Sequence, residues 1–277
     1  MTMASQNQDR LRSHFTNVPE PSHPSRWDDL WRASDFLPWD RGFPNPALYD
    51  TLISHSSTFG SPLKANGKRK RALVPGCGKG YDLVLLSAFG YDAYGVEYSE
   101  HAVRAAEEWL AGWEKDEKGK EFYGTRDEKV GRGVYKCVYG DFFKNGWVET
   151  CGGSEGGFDL IYDCTFLSAL PPSLRPSWAH RMTQLLAPEG HLICLEFPTK
   201  KPPKSGGPPW ALPPVVYEEL LVRPGEEIQY DDEGKVVETE RKEMETALRR
   251  IDHWQPARTH DVGKGTDWVS IWSRKGV

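Results

Sequence analysis

One stretch constrains the fold more than any other. Residues 71–75 (RALVP) form a short apolar run that passes directly into Gly76-Cys77-Gly78-Lys79-Gly80. A segment of helical period, DLVLLSAFG, follows and stops at Gly90, where a C-capping glycine belongs. Tyr94-Gly95-Val96-Glu97 then reads as a second strand. Strand, glycine turn, helix and strand in that order form a βαβ unit, whose two strands must lie parallel. The glycines let the turn run close to a ligand, and such a ligand sits at the carboxyl ends of the strands.

The pattern continues along the chain. Ser99 is placed to cap a helix reaching about Trp109, Val134–Tyr139 reads as a third strand, and Phe158–Tyr162 as a fourth. A helix is expected over 176–186, a turn at Pro188-Glu189-Gly190, and a fifth strand over 191–197. Beyond 198 come a Pro/Gly loop, a helix near 215–222, an acidic stretch at 226–233, a helix near 240–252 and a last strand at 268–273. Strands alternating with helices predict an α/β fold, a mostly parallel sheet with helices on both faces. Residues 1–25 are polar and carry three prolines, so they read as a disordered tail, with order beginning at Trp27. The charged, glycine-punctuated stretch 112–133 reads as a surface insertion, and KANGKRKR at 64–71 as a solvated loop entering the first strand. One domain over 26–277 is expected.

Composition excludes several roles. The net charge of −5 argues against a general nucleic-acid binder. No run approaches the roughly 20 apolar residues that span a bilayer. The amino terminus lacks the apolar core of a signal peptide. Cys77, Cys137, Cys151, Cys164 and Cys194 are odd in number and form no C-x-x-C pair, so reduced thiols, no metal and a cytoplasmic protein are expected. The sequence does not set the oligomeric state; a monomer is expected, with neither a nucleic-acid nor a membrane partner, and any substrate a small molecule or anion of the kind the resemblance below implies.

Three positions point to a nucleoside ligand. Glu97 lies nineteen residues past Gly78 at the end of the second strand, where an acid accepts hydrogen bonds from two ribose hydroxyls. The plainer alternative is a surface glutamate capping the next turn. Asp141 ends the third strand and precedes Phe142. An acid there can accept from an adenine amino group while the aromatic packs on the ring; the alternative is a turn-starting Asp beside a core phenylalanine. Three acid-tipped or glycine-tipped strands in sequence are unexpected for a nicotinamide enzyme and familiar in methyltransferases that use S-adenosylmethionine. Many of those carry an acid two residues before the first loop glycine, whereas this chain has Val74 and then Pro75.

With that departure, RALVPGCGKGYD resembles the halide and thiol methyltransferases of the thiopurine S-methyltransferase superfamily. So do LPWDRGFPNPAL, GVEYS, GDFF, FDLIYD, RPSWAHRM, LLAPEGHLICLEFP and GGPPW, while HWQPARTHDVGK and VSIW resemble fungal members. The resemblance implies a Rossmann-like class I fold with seven strands and S-adenosylmethionine as cofactor. It implies that 26–50 covers the cofactor through Trp27, Trp31 and Trp39 and that 198–260 builds the substrate side. Gly76 and Gly78 would contact the methionine part, Glu97 the ribose, and Asp141 with Phe142 the adenine. Cys164 would face cofactor and substrate. Halide-methylating members carry tyrosine at the Cys164 position, so cysteine implies a wider pocket and a larger thiol.

Aromatic faces attract a sulfonium at roughly 0.5–2 kcal/mol each, although most of the eleven tryptophans are expected to serve packing. No catalytic base is identified, and Asp163 is read as capping a helix start or holding a loop. The implied reaction is direct methyl transfer to a thiol, thiocyanate, hydrosulfide or halide. A non-catalytic binder of S-adenosylmethionine and a small-molecule O- or S-methyltransferase of a secondary-metabolite pathway are the alternatives. An amine or nucleic-acid target would call for a Pro-Pro-aromatic string after the fourth strand, where this chain has Asp163-Cys164-Thr165-Phe166.

Overall fold

The computed structural model describes residues 3–153, 156–237 and 242–275. Seven strands form one sheet: β1 Arg71–Pro75, β2 Asp92–Glu97, β3 Tyr135–Tyr139, β4 Phe158–Cys164, β5 Leu186–Glu196, β6 Leu248–Trp254 and β7 Trp268–Arg274. Their order across the sheet is β3-β2-β1-β4-β5-β7-β6. Strands β1 to β5 pair in parallel, and β7 runs antiparallel to both β5 and β6. The helices are α1 Met3–Phe15, α2 His23–Ala33, α3 Pro46–Ser54, α4 Ser56–Phe59, α5 Tyr81–Ala88, α6 Glu100–Leu110, α7 Phe166–Ala169, α8 Arg175–Leu185 and α9 Pro214–Val222.

Both faces of the sheet are covered, as a parallel sheet requires. Alternation along β1 sends Leu73 to one face and Ala72 and Val74 to the other. The Leu73 face packs on α8 and α9 through Trp178, Met182, Leu185, Val216 and Leu220. The opposite face packs on α3 and α5. Leu83, Val84, Leu85 and Leu86 are all buried, since a helix apolar all round must be enclosed. The chain leaves β1 toward β2 and β3, then returns to the other side at β4. That reversal opens a crevice at the carboxyl ends of β1 and β4.

Four expectations need correction. Residues 1–25 do not form a disordered tail. Within them lie α1, a short 3₁₀ turn at Glu20–Ser22 and the start of α2. Leu11 and Phe15, four apart on one helical face, bury against Leu30 and Phe36 and partly against Trp27 and Trp39. One apolar pair on the right face outweighs a polar average. Next, 242–252 is not helical. Met244 donates its N–H to Val222, and β6 follows as an edge strand, its Arg250 pairing with Glu218 of α9. Residues 240–241 of that expected helix lie outside the described residues. The stretch 112–133 is more than surface, because Phe122 and Tyr123 are buried against the α3–α5 face. Finally, the expected turn at 188–190 lies inside β5, whose pairing with β4 shifts register there.

Candidate active site

The crevice is a cavity of about 950 Å³, lined by all nine residues singled out from the sequence. Gly76 and Gly78 adopt positive φ of +58° and +56°. A Cβ on Gly76 would fall 2.7 Å from the Phe166 ring, so this turn admits only glycine. Gly78 donates its N–H to Glu97 Oε1 at 2.7 Å, and the Trp31 ring lies over it. Burial pushes the Glu97 carboxyl up to about 7, against the lowering effect of the Gly78 and Tyr98 N–H groups. Glu97 thus stiffens the glycine loop and lines the cavity at the end of β2.

Asp141 is partly committed to its own turn. Its Oδ1 accepts from the Phe143 N–H at 3.0 Å, and its Oδ2 stands 3.4 Å from Lys144 Nζ. Trp147 Nε1 donates to the Asp141 carbonyl at 3.0 Å, and Arg181 Nε to the Phe142 carbonyl at 2.9 Å. Those bonds fix the buried Phe142 ring, which meets Phe166 edge-on at 5.0 Å. Cys164 ends β4 half-buried, with Thr165 after it in the left-handed region at φ +66°. Burial holds the Cys164 thiol well above its ordinary pKa, so it stays protonated at neutral pH and is no thiolate nucleophile. Asp163, buried beside it, accepts from Trp178 Nε1 at 2.8 Å and the Leu167 N–H at 3.3 Å. It therefore ties β4 to α7 and α8.

The amino-terminal helices close the other side. Trp39 lies 5.1 Å from Trp27 and 5.8 Å from Trp31, both edge-on, and Phe15 lies 4.7 Å from Trp27. These rings form a cap with a small core of its own. Its ends are latched. Ser173 Oγ donates to Glu20 Oε2 at 2.5 Å, and Ser99 Oγ to Asp28 Oδ1 at 2.6 Å.

Sequence reasoning missed the polar end of the cavity, built by Asp40, Arg41, Asp82, His260 and Asp267. Buried Asp82 Oδ1 and Asp267 Oδ1 have no hydrogen-bond partner among the described residues. Burial pushes Asp82 up to about 7 and raises Asp267. Asp40, Arg41 and His260 stand within strings already singled out, yet nothing in their spacing marks them. They meet only because the loop before α3 and the loop before β7 converge on one crevice.

The site suits a nucleoside carrying a charged tail. The volume falls in the range of ligand pockets, the aromatic faces suit a cation, and unpartnered buried carboxylate oxygens await donors.

The thiopurine S-methyltransferase family model matches residues 22–260. The chain is 32% identical to the probable thiol methyltransferase 2 of Arabidopsis thaliana, over 90% of this chain and 92% of that protein. It is 32% identical to thiocyanate methyltransferase 1 of Brassica oleracea, over 75% and 76%. Bacterial relatives include the thiopurine S-methyltransferase of Azotobacter vinelandii, 33% identical over 67% and 77%. Among solved structures, the CcbJ methyltransferase of Streptomyces caelestis superposes with a TM-score of 0.52 at 14% identity, over 93% and 99%, a likeness of fold. With the family model matched from the cap to residue 260 and relatives at 32–33% identity, the chain belongs to the thiopurine S-methyltransferase family.

Proposed function

We propose that this protein binds S-adenosylmethionine in the crevice and transfers its methyl group to a small soft nucleophile, a thiol or thiocyanate first, with hydrosulfide and halide in the same class. The carrying observation is the aromatic cap lying over the glycine loop and facing Cys164 across one cavity. The cofactor supplies an electrophilic methyl on a sulfonium sulfur. Gly76 and Gly78 leave room for its methionine part, Glu97 accepts from the ribose hydroxyls, and Asp141 with Phe142 seats the adenine. Trp27, Trp31 and Trp39 exclude water and turn ring faces to the cation. Cys164 and Phe166 form an apolar wall against which the acceptor sulfur is aligned. The new carbon–sulfur bond forms as the old one breaks, its electron pair remaining on the cofactor sulfur. A thiol pKa near 8.5 leaves some thiolate at neutral pH, so in-line placement is the main demand. In this reading 26–277 works as one unit, with 26–50 over the cofactor and 198–260 on the substrate side.

The family relatives named above as thiol and thiocyanate methyltransferases support this choice of acceptor. The test is a methyl-transfer assay with thiocyanate, hydrosulfide, iodide, bromide and several organic thiols, read as S-adenosylhomocysteine and methylated product. Turnover with a thiol or thiocyanate is expected. Cofactor binding with no turnover across the panel overturns the acceptor class and leaves a larger metabolite or a non-catalytic binder.

A further inference from the structure

The polar end of the cavity holds a cation that has no ion pair among the described residues. Arg41 stands half-buried on the cavity wall, in the loop between α2 and α3. Its sequence neighbour pairs elsewhere. Asp40 Oδ2 pairs with Lys79 Nζ at 2.8 Å, while Oδ1 accepts from the Tyr81 hydroxyl and the Gly42 N–H, both at 2.9 Å. Among the described residues no carboxylate comes within ion-pair distance of the Arg41 guanidinium. The loop itself is pinned, because Lys118 Nζ donates to the Arg41 carbonyl at 2.5 Å.

Neighbouring groups define where this charge acts. Arg41 lies within electrostatic reach of Asp40, of Cys164 at the tip of β4 and of His260 in the loop before β7. It therefore acts between the substrate wall and the carboxy-terminal segment. His260 packs edge-on against Phe43 at 4.7 Å, and burial with the cations Arg41 and Lys118 keeps it neutral at pH 7. Asp82 and Asp267 share this end but do not pair with Arg41. The Asp267 Oδ2 is taken by Thr259 Oγ1 at 2.6 Å, and burial favours the protonated form of both acids. A guanidinium that has lost part of its water, shares the charge of Asp40 with Lys79 and has no ion pair of its own is costly to keep. An anion arriving with the ligand offsets that cost, and the planar fork of arginine suits a carboxylate with two parallel hydrogen bonds.

We propose that Arg41 holds the negative charge of the methyl acceptor, making the substrate an anionic sulfur nucleophile. Two sources of that charge share this chemistry: a carboxylate carried by an organic thiol, or the reacting atom itself, as in thiocyanate. The inference rests on the sulfur-methylation reading for the identity of the acceptor, and on geometry alone for the anion site.

The experiment measures binding, by calorimetry, to the protein saturated with S-adenosylhomocysteine, so that no turnover intervenes. The probes are 3-mercaptopropionate, its methyl ester and thiocyanate, against wild type, Arg41→Gln and Arg41→Lys. Wild type is expected to bind the acid at least ten-fold more tightly than the ester. Arg41→Gln loses that preference with the ester unchanged, and Arg41→Lys recovers part of it. Loss of thiocyanate binding alone places the charge at the reacting atom, and loss of the acid alone places it on a remote carboxylate. Affinity for S-adenosylhomocysteine and the urea midpoint stay constant, which excludes misfolding. The proposal is overturned when neither anion depends on Arg41, or when ester and anions weaken equally. A parallel turnover assay separates the two readings. Arg41-dependent anion binding without methylation of any probe sinks the acceptor class alone, and methylation of acid and ester with equal efficiency sinks the Arg41 assignment alone.

Discussion

Glu97 has two duties at the tip of β2, and they can be taken apart. Its carboxylate accepts from the Gly78 and Tyr98 N–H groups, and the residue lines the cavity. Replacement by alanine removes both, and cofactor affinity should fall by about 1.5–3 kcal/mol, the range for hydrogen bonds to a charged group. Glu97→Gln keeps an acceptor for Gly78 but lacks the charge, so it should fall between wild type and alanine in calorimetric titrations. Equal affinity in all three proteins would remove Glu97 from the ribose site. At this scale the sequence was informative where a residue follows a strand end at fixed spacing, as Gly76, Glu97 and Asp141 do. It was silent on Arg41, Asp82 and Asp267. These lie far apart in the chain, on two loops and the first turn of a helix, and no local pattern records that such segments converge.

The cap is the element with the clearest independent identity. Its core of Leu11, Phe15, Leu30 and Phe36 is separate from the two clusters flanking the sheet. Phe→Ala in a packed core costs about 3–5 kcal/mol, and here that cost falls on cap closure. Phe15→Ala should weaken cofactor binding ten-fold or more and leave the urea midpoint of the sheet domain nearly unmoved. A lowered midpoint with unchanged cofactor affinity would make the cap part of the main fold. The same element shows why composition misled: the 1–25 stretch is polar on average, but Leu11 and Phe15 lie on a single helical face. Strand β6 misled for the opposite reason. The stretch reads as the end of a helix near 240–252, yet its charges belong to a sheet edge, where one side faces water and charge discourages further pairing. The parallel strands were legible because a fully buried strand leaves an apolar run that no loop would carry.

Across the whole molecule, buried acids gather toward the carboxyl edge of the sheet. Burial pushes Asp82, Glu97 and Glu196 up to about 7 and Asp163 to about 6. An acid whose folded pKa lies above its unfolded value adds stability at low pH and loses it as pH rises through the folded value. Glu196 shows this effect, being fully buried, with Oε1 unpartnered and Oε2 3.1 Å from His253 Nε2, and burial outweighs the opposing pull of Ser270 and Arg250. Its contribution should fall away between about pH 4.5 and 7. Glu196→Gln should therefore gain stability relative to wild type across that interval, by up to ~3 kcal/mol, read from urea midpoints at pH 5, 6, 7 and 8. A difference that does not vary with pH would mean that Glu196 carries its charge in the folded protein without penalty.

The latches at Glu20–Ser173 and Asp28–Ser99 set a tempo. A cap that shares one small core should swing as a unit, and on the proposed function spent cofactor would then leave only when several rings lift together. The Glu20 latch is one hydrogen bond and the Asp28 latch two contacts, to Ser99 and His101, all of which water can replace, and so the door is cheap to unfasten, while the mass behind it is large. The pace of exchange is then a property of solvent drag on two helices, and thickening the medium should slow turnover even with the acceptor in excess.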